Sequence, residues 1–120
     1  MSVRRWAPPT VWAAIILILT SLPGADIPRF NFADADKLAH GTLYAILGLL
    51  SVRASGRPRR PAWALVIVLG SVALLGALDE WHQQFISGRC VEFLDWVADC
   101  LGAAVGVVAA AAVLHREDRA

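Results

Sequence analysis

Long apolar stretches alternate with short polar ones along this chain. Four of the stretches approach the roughly 17–25 residues that a helix needs to cross a bilayer. The first covers about residues 6–22 and closes on Pro23-Gly24. The second covers about 37–52 and is short enough to lean on its polar ends. The third covers about 62–85 and the fourth about 93–114. Pro8 and Pro9 read as first-turn residues of the first run, where a missing N–H costs no intrahelical bond. The stretch RASGRPRRP between the second and third runs carries Gly, Ser and Pro and reads as a loop. The pattern predicts an all-α fold, an integral membrane bundle of four transmembrane helices with residues 1–120 as a single domain.

Composition supports a lipid-facing chain. Apolar residues make up 58% of the 120 positions and charged residues 18%, against roughly 45–50% and about 25% in soluble domains. One core of a chain this small cannot hide so much apolar surface. The net charge of +1 gives no field that would favour nucleic acid. Cys90 and Cys100 form neither a C-x-x-C pair nor a zinc spacing. Cys100 reads as a small buried hydrophobe, and Cys90 as a loop thiol.

Orientation follows from Lys and Arg in the short connections. Arg4 and Arg5 precede the first run, Arg53, Arg57, Arg59 and Arg60 separate the second from the third, and Arg116 and Arg119 follow the fourth. The other two connections hold only Arg29 with Lys37, and Arg89. Four spans with both termini cytoplasmic satisfy every connection and place the remaining polar residues at the outer face of a cytoplasmic membrane. Arg4 and Arg5 ahead of an apolar run also suit a cleaved signal, but Pro23-Gly24-Ala25 lacks the small-x-small pattern of a cleavage site.

Those polar residues stand out because ionisable groups are costly in hydrocarbon and usually face a partner, a cavity or water. At about 100° per residue, Lys37, His40 and Tyr44 share one stripe of the second helix, with Asp36 at its edge. Glu80, Gln83 and Gln84 share a face of the third, beside Asp79. Asp95, Asp99, Gly102 and Gly106 share a face of the fourth. Its glycines form a G-x-x-x-G surface for close helix packing, and a route to oligomers. Asp36, Glu92 and Asp79 can also be plain helix-end or interfacial charges. Lys37 can snorkel to headgroups, and His82 reads as interfacial. Trp6, Trp63, Trp81 and Trp96 read as an aromatic belt. Arg89, in a turn after Gly88, can grip a carboxylate or phosphate with its planar fork. Lys37 and Arg89 set against Asp95 and Asp99 would instead make the cluster structural.

Asp36-Lys37-x-x-His40 with Tyr44, Asp79-Glu80-x-His82-Gln83, Gly88-Arg89, and Asp95-x-x-x-Asp99-x-x-Gly102-x-x-x-Gly106 follow one another on these hydrophobic runs. In that order and spacing, with Ser21-Leu22-Pro23 ending the first run, the chain resembles the VanZ-like family of small bacterial membrane proteins over nearly its whole length. Many relatives carry Asn where this chain has Asp99, which adds negative charge here. The resemblance implies work at the cell envelope and a link to glycopeptide (teicoplanin) resistance. It supplies no chemical mechanism.

Three classes of function compete. In the first, a binding or accessory protein holds a lipid-linked or peptidic wall component. Lys37 and Arg89 would grip its anionic group, with His40, Glu80 and Gln83 orienting it. In the second, an integral-membrane enzyme acts on such a component, with Glu80, Asp95, Asp99 and His40 supplying a general base or a divalent-cation site. In the third, the intramembrane acids carry ions or protons. No H-E-x-x-H, nucleophile elbow or phosphate loop is present, and the sequence alone assigns no metal and no cofactor. Three of His40, Glu80, Asp95 and Asp99 converging would mark a cation site. Lys37 and Arg89 neutralising both aspartates would remove it.

Overall fold

The structure is a computed structural model and describes residues 2–24, 34–56, 62–117 and 119–120. Arg29, Arg57, Arg59 and Arg60, used above for orientation, lie outside the described residues. The described chain forms four helices: α1 Val3–Thr20, α2 Ala35–Ala54, α3 Ala62–Gln83 and α4 Phe93–Glu117. Among the described residues there is no strand.

The boundaries depart from the hydropathy pattern at the ends, where helices extend into polar sequence. α1 begins at Val3, so Pro8 and Pro9 lie beyond its first turn, contrary to the expectation above. Their missing N–H groups leave the carbonyls of Arg4 and Arg5 without the usual i+4 donors. α3 stops at Gln83, because the chain tightens into turns with Phe85 N–H on the His82 carbonyl and Ile86 N–H on that of Gln83. Gly88 follows with φ +74°, a left-handed conformation that glycine adopts without a Cβ clash.

Two of the helices, α3 and α4, are long and apolar enough to cross a membrane. α2 is less apolar, because it carries Asp36, Lys37, His40 and Arg53 within its twenty residues. α1 carries Arg4 and Arg5 in its first turn and two prolines. The outward faces of α3 and α4 are apolar nonetheless: Val66, Ile67, Leu74 and Leu78 on one, Leu101, Val105 and Val108 on the other are all more than half exposed. So large an exposed apolar surface calls for a lipid or protein partner.

Packing centres on α2, which lies against α1, α3 and most extensively α4. Small residues permit this last contact. A Cβ added at Gly102 would fall on the Gly41 carbonyl, one at Gly106 on the Ala45 carbonyl, and one at Gly48 would stand 2.7 Å from the Ala103 oxygen. The glycine face of α4 is therefore spent inside one chain. Trp12 donates its indole N–H to the Leu43 carbonyl (2.9 Å) and ties α1 to α2. Trp96, expected in an aromatic belt, instead points between helices and donates to the Ala73 carbonyl (3.0 Å).

The buried stripe of each helix changes character along its length. In α3 it runs Ala64, Val68, Val72, Gly76, then Asp79, Glu80 and Gln83. In α4 it runs Asp95, Asp99, then Gly102, Ala103, Gly106, Val107 and Ala110. In α2, His40 and Tyr44 lead to Leu47, Gly48, Ser51 and Val52. The apolar halves form two clusters, Ile16 with Tyr44, Leu47, Val72 and Ala103, and Val52 with Val68, Val107 and Ala110. The polar halves all gather at the other end of the bundle.

Candidate functional site

That end joins the C-terminus of α1, the N-terminus of α2, the C-terminus of α3 and the N-terminus of α4. His40 is at its centre. Its Nδ1 lies 2.9 Å from Asp99 Oδ1 and 3.8 Å from Glu80 Oε1. Against an ionised Asp99, which can only accept, Nδ1 carries the hydrogen and donates, in a neutral ring or an imidazolium alike. Asp99 is fully buried. Its second oxygen sits over Gly76 of α3, where a Cβ would approach it to 3.2 Å. Glu80 receives a long contact from Gln83 Nε2 (3.4 Å) within its own helix.

Lys37 stands at the rim. Its ammonium is 2.9 Å from Glu92, and 3.4 Å from both Asp36 and Asp95. Glu92, read from sequence as an interfacial charge, is thus its nearest partner. The Asp95 contact lacks hydrogen-bond geometry, since Asp95 Oδ1 has no hydrogen-bond partner among the described residues. Asp36, Glu92 and Asp95 could form a second acidic triad, but the Lys37 ammonium is already paired with all three.

Arg89 does something different from what its position suggested. Nε donates to the Leu22 carbonyl (3.1 Å) and Nη2 to that of Leu19 (2.9 Å). The guanidinium closes the C-terminus of α1, where a helix leaves carbonyls without partners. Only half of the pairing of Lys37 and Arg89 against Asp95 and Asp99 forms: Lys37 reaches Asp95 at 3.4 Å, while Asp99 turns to His40 and Arg89 to the backbone. Partial burial draws the guanidinium down from its ordinary value against the upward pull of Asp79, Glu80 and Asp95, and it remains a cation. Beside it, Gly24 N–H donates to the Ser87 carbonyl (2.9 Å), so the α3–α4 turn is docked on α1.

Asp79 emerges as a buried member of the cluster rather than a helix-end charge. Thr20 Oγ lies 2.6 Å from one of its oxygens and Tyr44 OH 3.4 Å from the other. Thr20 also reaches the Ile16 carbonyl at 2.9 Å and that of Leu17 at 3.3 Å, so its single hydroxyl hydrogen has three competing acceptors. Of these, Thr20 had the weakest signal in the sequence, one hydroxyl in an apolar run. Asp79 shares the buried stripe of Val72 and Gly76, a spacing that could have exposed its role. His82 and Gln84 point outward.

The recess is rich in acceptors. Glu80 Oε2, Asp95 Oδ1 and Asp99 Oδ2 are buried without hydrogen-bond partners among the described residues. One ligand atom from each of His40, Glu80 and Asp95 lies within 4.8 Å of the others. Such a set can bind a cation, accept hydrogen bonds from a ligand, or position a base against a histidine oriented by a carboxylate. No curated protein and no solved structure matches the chain. The family model described as VanZ/LLP1 matches residues 4–114, nearly all the chain, including every residue of the recess. The chain belongs to the VanZ/LLP1 family.

Proposed function

We propose that this is a multi-pass protein of the bacterial cytoplasmic membrane whose recess binds a cell-envelope component, lipid-linked or peptidic, at the outer face. The observation that carries this reading is the set of buried carboxylate oxygens on Glu80, Asp95 and Asp99 that receive no hydrogen bond among the described residues. Desolvating a carboxylate costs several kcal/mol unless something compensates it, and structural packing alone would favour apolar residues there. The outward apolar faces of α3 and α4 support two of the four crossings in this reading, and packing on them carries α1 and α2. Both termini lie in the cytoplasm on this reading: Arg4, Arg5, Arg53, Arg116 and Arg119 belong to the end opposite the recess. With Arg89 on backbone carbonyls and Lys37 among three carboxylates, the recess selects the cationic or donor-rich part of its ligand.

A second reading, an integral-membrane enzyme acting on the same component, is favoured by the His40–Asp99 pair, which holds a histidine in one tautomer as general-base sites do. Binding is tested by purifying the protein in native-lipid particles and identifying envelope molecules that accompany it by mass spectrometry. Glu80→Gln and Asp95→Asn should lose the ligand at normal membrane abundance, with altered teicoplanin sensitivity as the cellular readout. Undiminished ligand in both variants would rule out the recess. A chemically altered ligand, accumulating only with the wild-type chain, would decide for the enzyme.

A further inference from the structure

We propose that His40, Glu80 and Asp95 hold a divalent transition-metal ion, zinc or manganese, with Asp99 as the positioning residue for His40. The inference deepens the proposed binding function and rests on it. Three observations support it. The donors come from three different helices, α2, α3 and α4, yet their ligand atoms lie within 4.8 Å of one another. Glu80 and Asp95 are both more than nine-tenths buried and each keeps an oxygen that receives no hydrogen bond among the described residues; that of Glu80 has no cation beside it, and that of Asp95 faces the Lys37 ammonium at 3.4 Å. His40 Nδ1 lies 2.9 Å from Asp99 and 3.8 Å from Glu80, so with Asp99 holding Nδ1 the ring must turn on loading to bring Nε2 to the metal. A carboxylate on the far nitrogen is the arrangement that fixes tautomer and ring orientation in metal-bound histidines.

A single cation would serve the carboxylates of both Glu80 and Asp95, with Asp99 outside the ligand set. Protonation would replace each with a hydroxyl donor that still needs an acceptor. One imidazole with two carboxylates suits zinc or manganese better than the all-oxygen preference of magnesium or calcium. Donors about 2 Å from a zinc ion stand closer to one another than 4.8 Å, so loading draws the three side chains inward. Three protein ligands leave a coordination position open for a donor atom of the bound envelope component.

The test uses the full chain purified in detergent or nanodiscs, with the metal alone as probe and no envelope component added. Metal content is measured after chelation and reloading with Zn²⁺, Mn²⁺ or Mg²⁺. One zinc or manganese per chain is expected, raising the thermal midpoint of unfolding over the chelated form. Glu80→Gln and Asp95→Asn should lose the ion. Asp99→Asn should keep the stoichiometry, weaken affinity by about 10–100-fold, and leave the midpoint of the chelated protein close to that of wild type. If a variant fails to fold, the midpoint shift between chelated and reloaded wild-type protein still decides. No stoichiometric ion, an equal response to Mg²⁺, or metal retained in both carboxylate variants would overturn the proposal. Loss of the envelope ligand from Glu80→Gln in a protein that binds no metal would refute the metal site and leave the binding function standing.

Discussion

Replacing Gly102 with alanine should separate α2 from α4 where the recess is anchored. The added Cβ would land on the Gly41 carbonyl, which is backbone and cannot rotate away. The helices must part by on the order of 1 Å to regain ordinary contact. Overpacking of this kind costs about 1–3 kcal/mol, while the Gly-to-Ala change in a helix returns up to about 1 kcal/mol. Gly70 supplies the control: it lies inside α3 and a Cβ there meets nothing within 4 Å. Gly70→Ala therefore takes the same helix-propensity gain with no clash. The difference between the two variants isolates the steric cost, about 1–3 kcal/mol. Gly41 adjoins His40 and Gly102 lies one turn beyond Asp99, so parting the backbones also stretches the 2.9 Å His40–Asp99 contact. Unfolding by titration with a denaturing detergent in mixed micelles, followed by tryptophan fluorescence, measures both variants under one condition. Agreement within about 0.5 kcal/mol, an ordinary surface-substitution effect, would refute the close-packing argument.

Arg89→Ala should cost about 1 kcal/mol in the same assay, a modest figure because the bonds to the Leu19 and Leu22 carbonyls are partly exposed. Arg89→Lys should recover little of it, since an ammonium lacks the fork; unchanged stability in both would show that the clasp on α1 contributes nothing. Thr20→Val should cost about 1–3 kcal/mol by leaving Asp79 with only the long Tyr44 contact. Thr42→Val, whose exposed hydroxyl returns to its own helix at Leu38, should be near neutral, and equal effects at the two positions would contradict the Asp79 network. In a Cys100→Ala background, the exposed thiol of Cys90 should react with a membrane-impermeant maleimide in intact cells; reaction only after lysis would invert the proposed orientation.

Helix identity and the facing of each stripe can be read from spacing, because burial in a bundle repeats every three or four residues whether the buried group is Val72 or Asp79. Distribution of partners across helices cannot. Carboxylates are the acceptors the sequence offers Arg89, yet those it finds are the carbonyls of Leu19 and Leu22, and a backbone oxygen has no letter of its own. Lys37 reaches Glu92 (2.9 Å) more closely than Asp95 (3.4 Å), a choice set by where the α3–α4 turn docks. The small-residue step of Gly102 and Gly106 is visible in the sequence, but its counterpart, Gly41 with Ala45, emerges only when α2 is laid against it. Pro8 and Pro9 misled for a local reason: hydropathy marks where a helix becomes apolar, and the helix itself begins earlier, at Val3.

The enclosure of α2 by α4 sets a timetable for biogenesis under the four-span reading. The helix that carries Lys37, His40 and Tyr44 is translated second, while the helix that covers its polar and glycine-lined face is translated last. During the interval α2 is the less apolar helix and lacks the partner that shields it. A ribosome exposing it to lipid would ask it to settle before its acceptors on α3 and α4 exist. Residence in the bilayer for this segment is thus conferred retroactively, by sequence some fifty residues further along. A nascent chain arrested before α4 should leave α2 loosely held or outside the membrane, while the finished chain retains it.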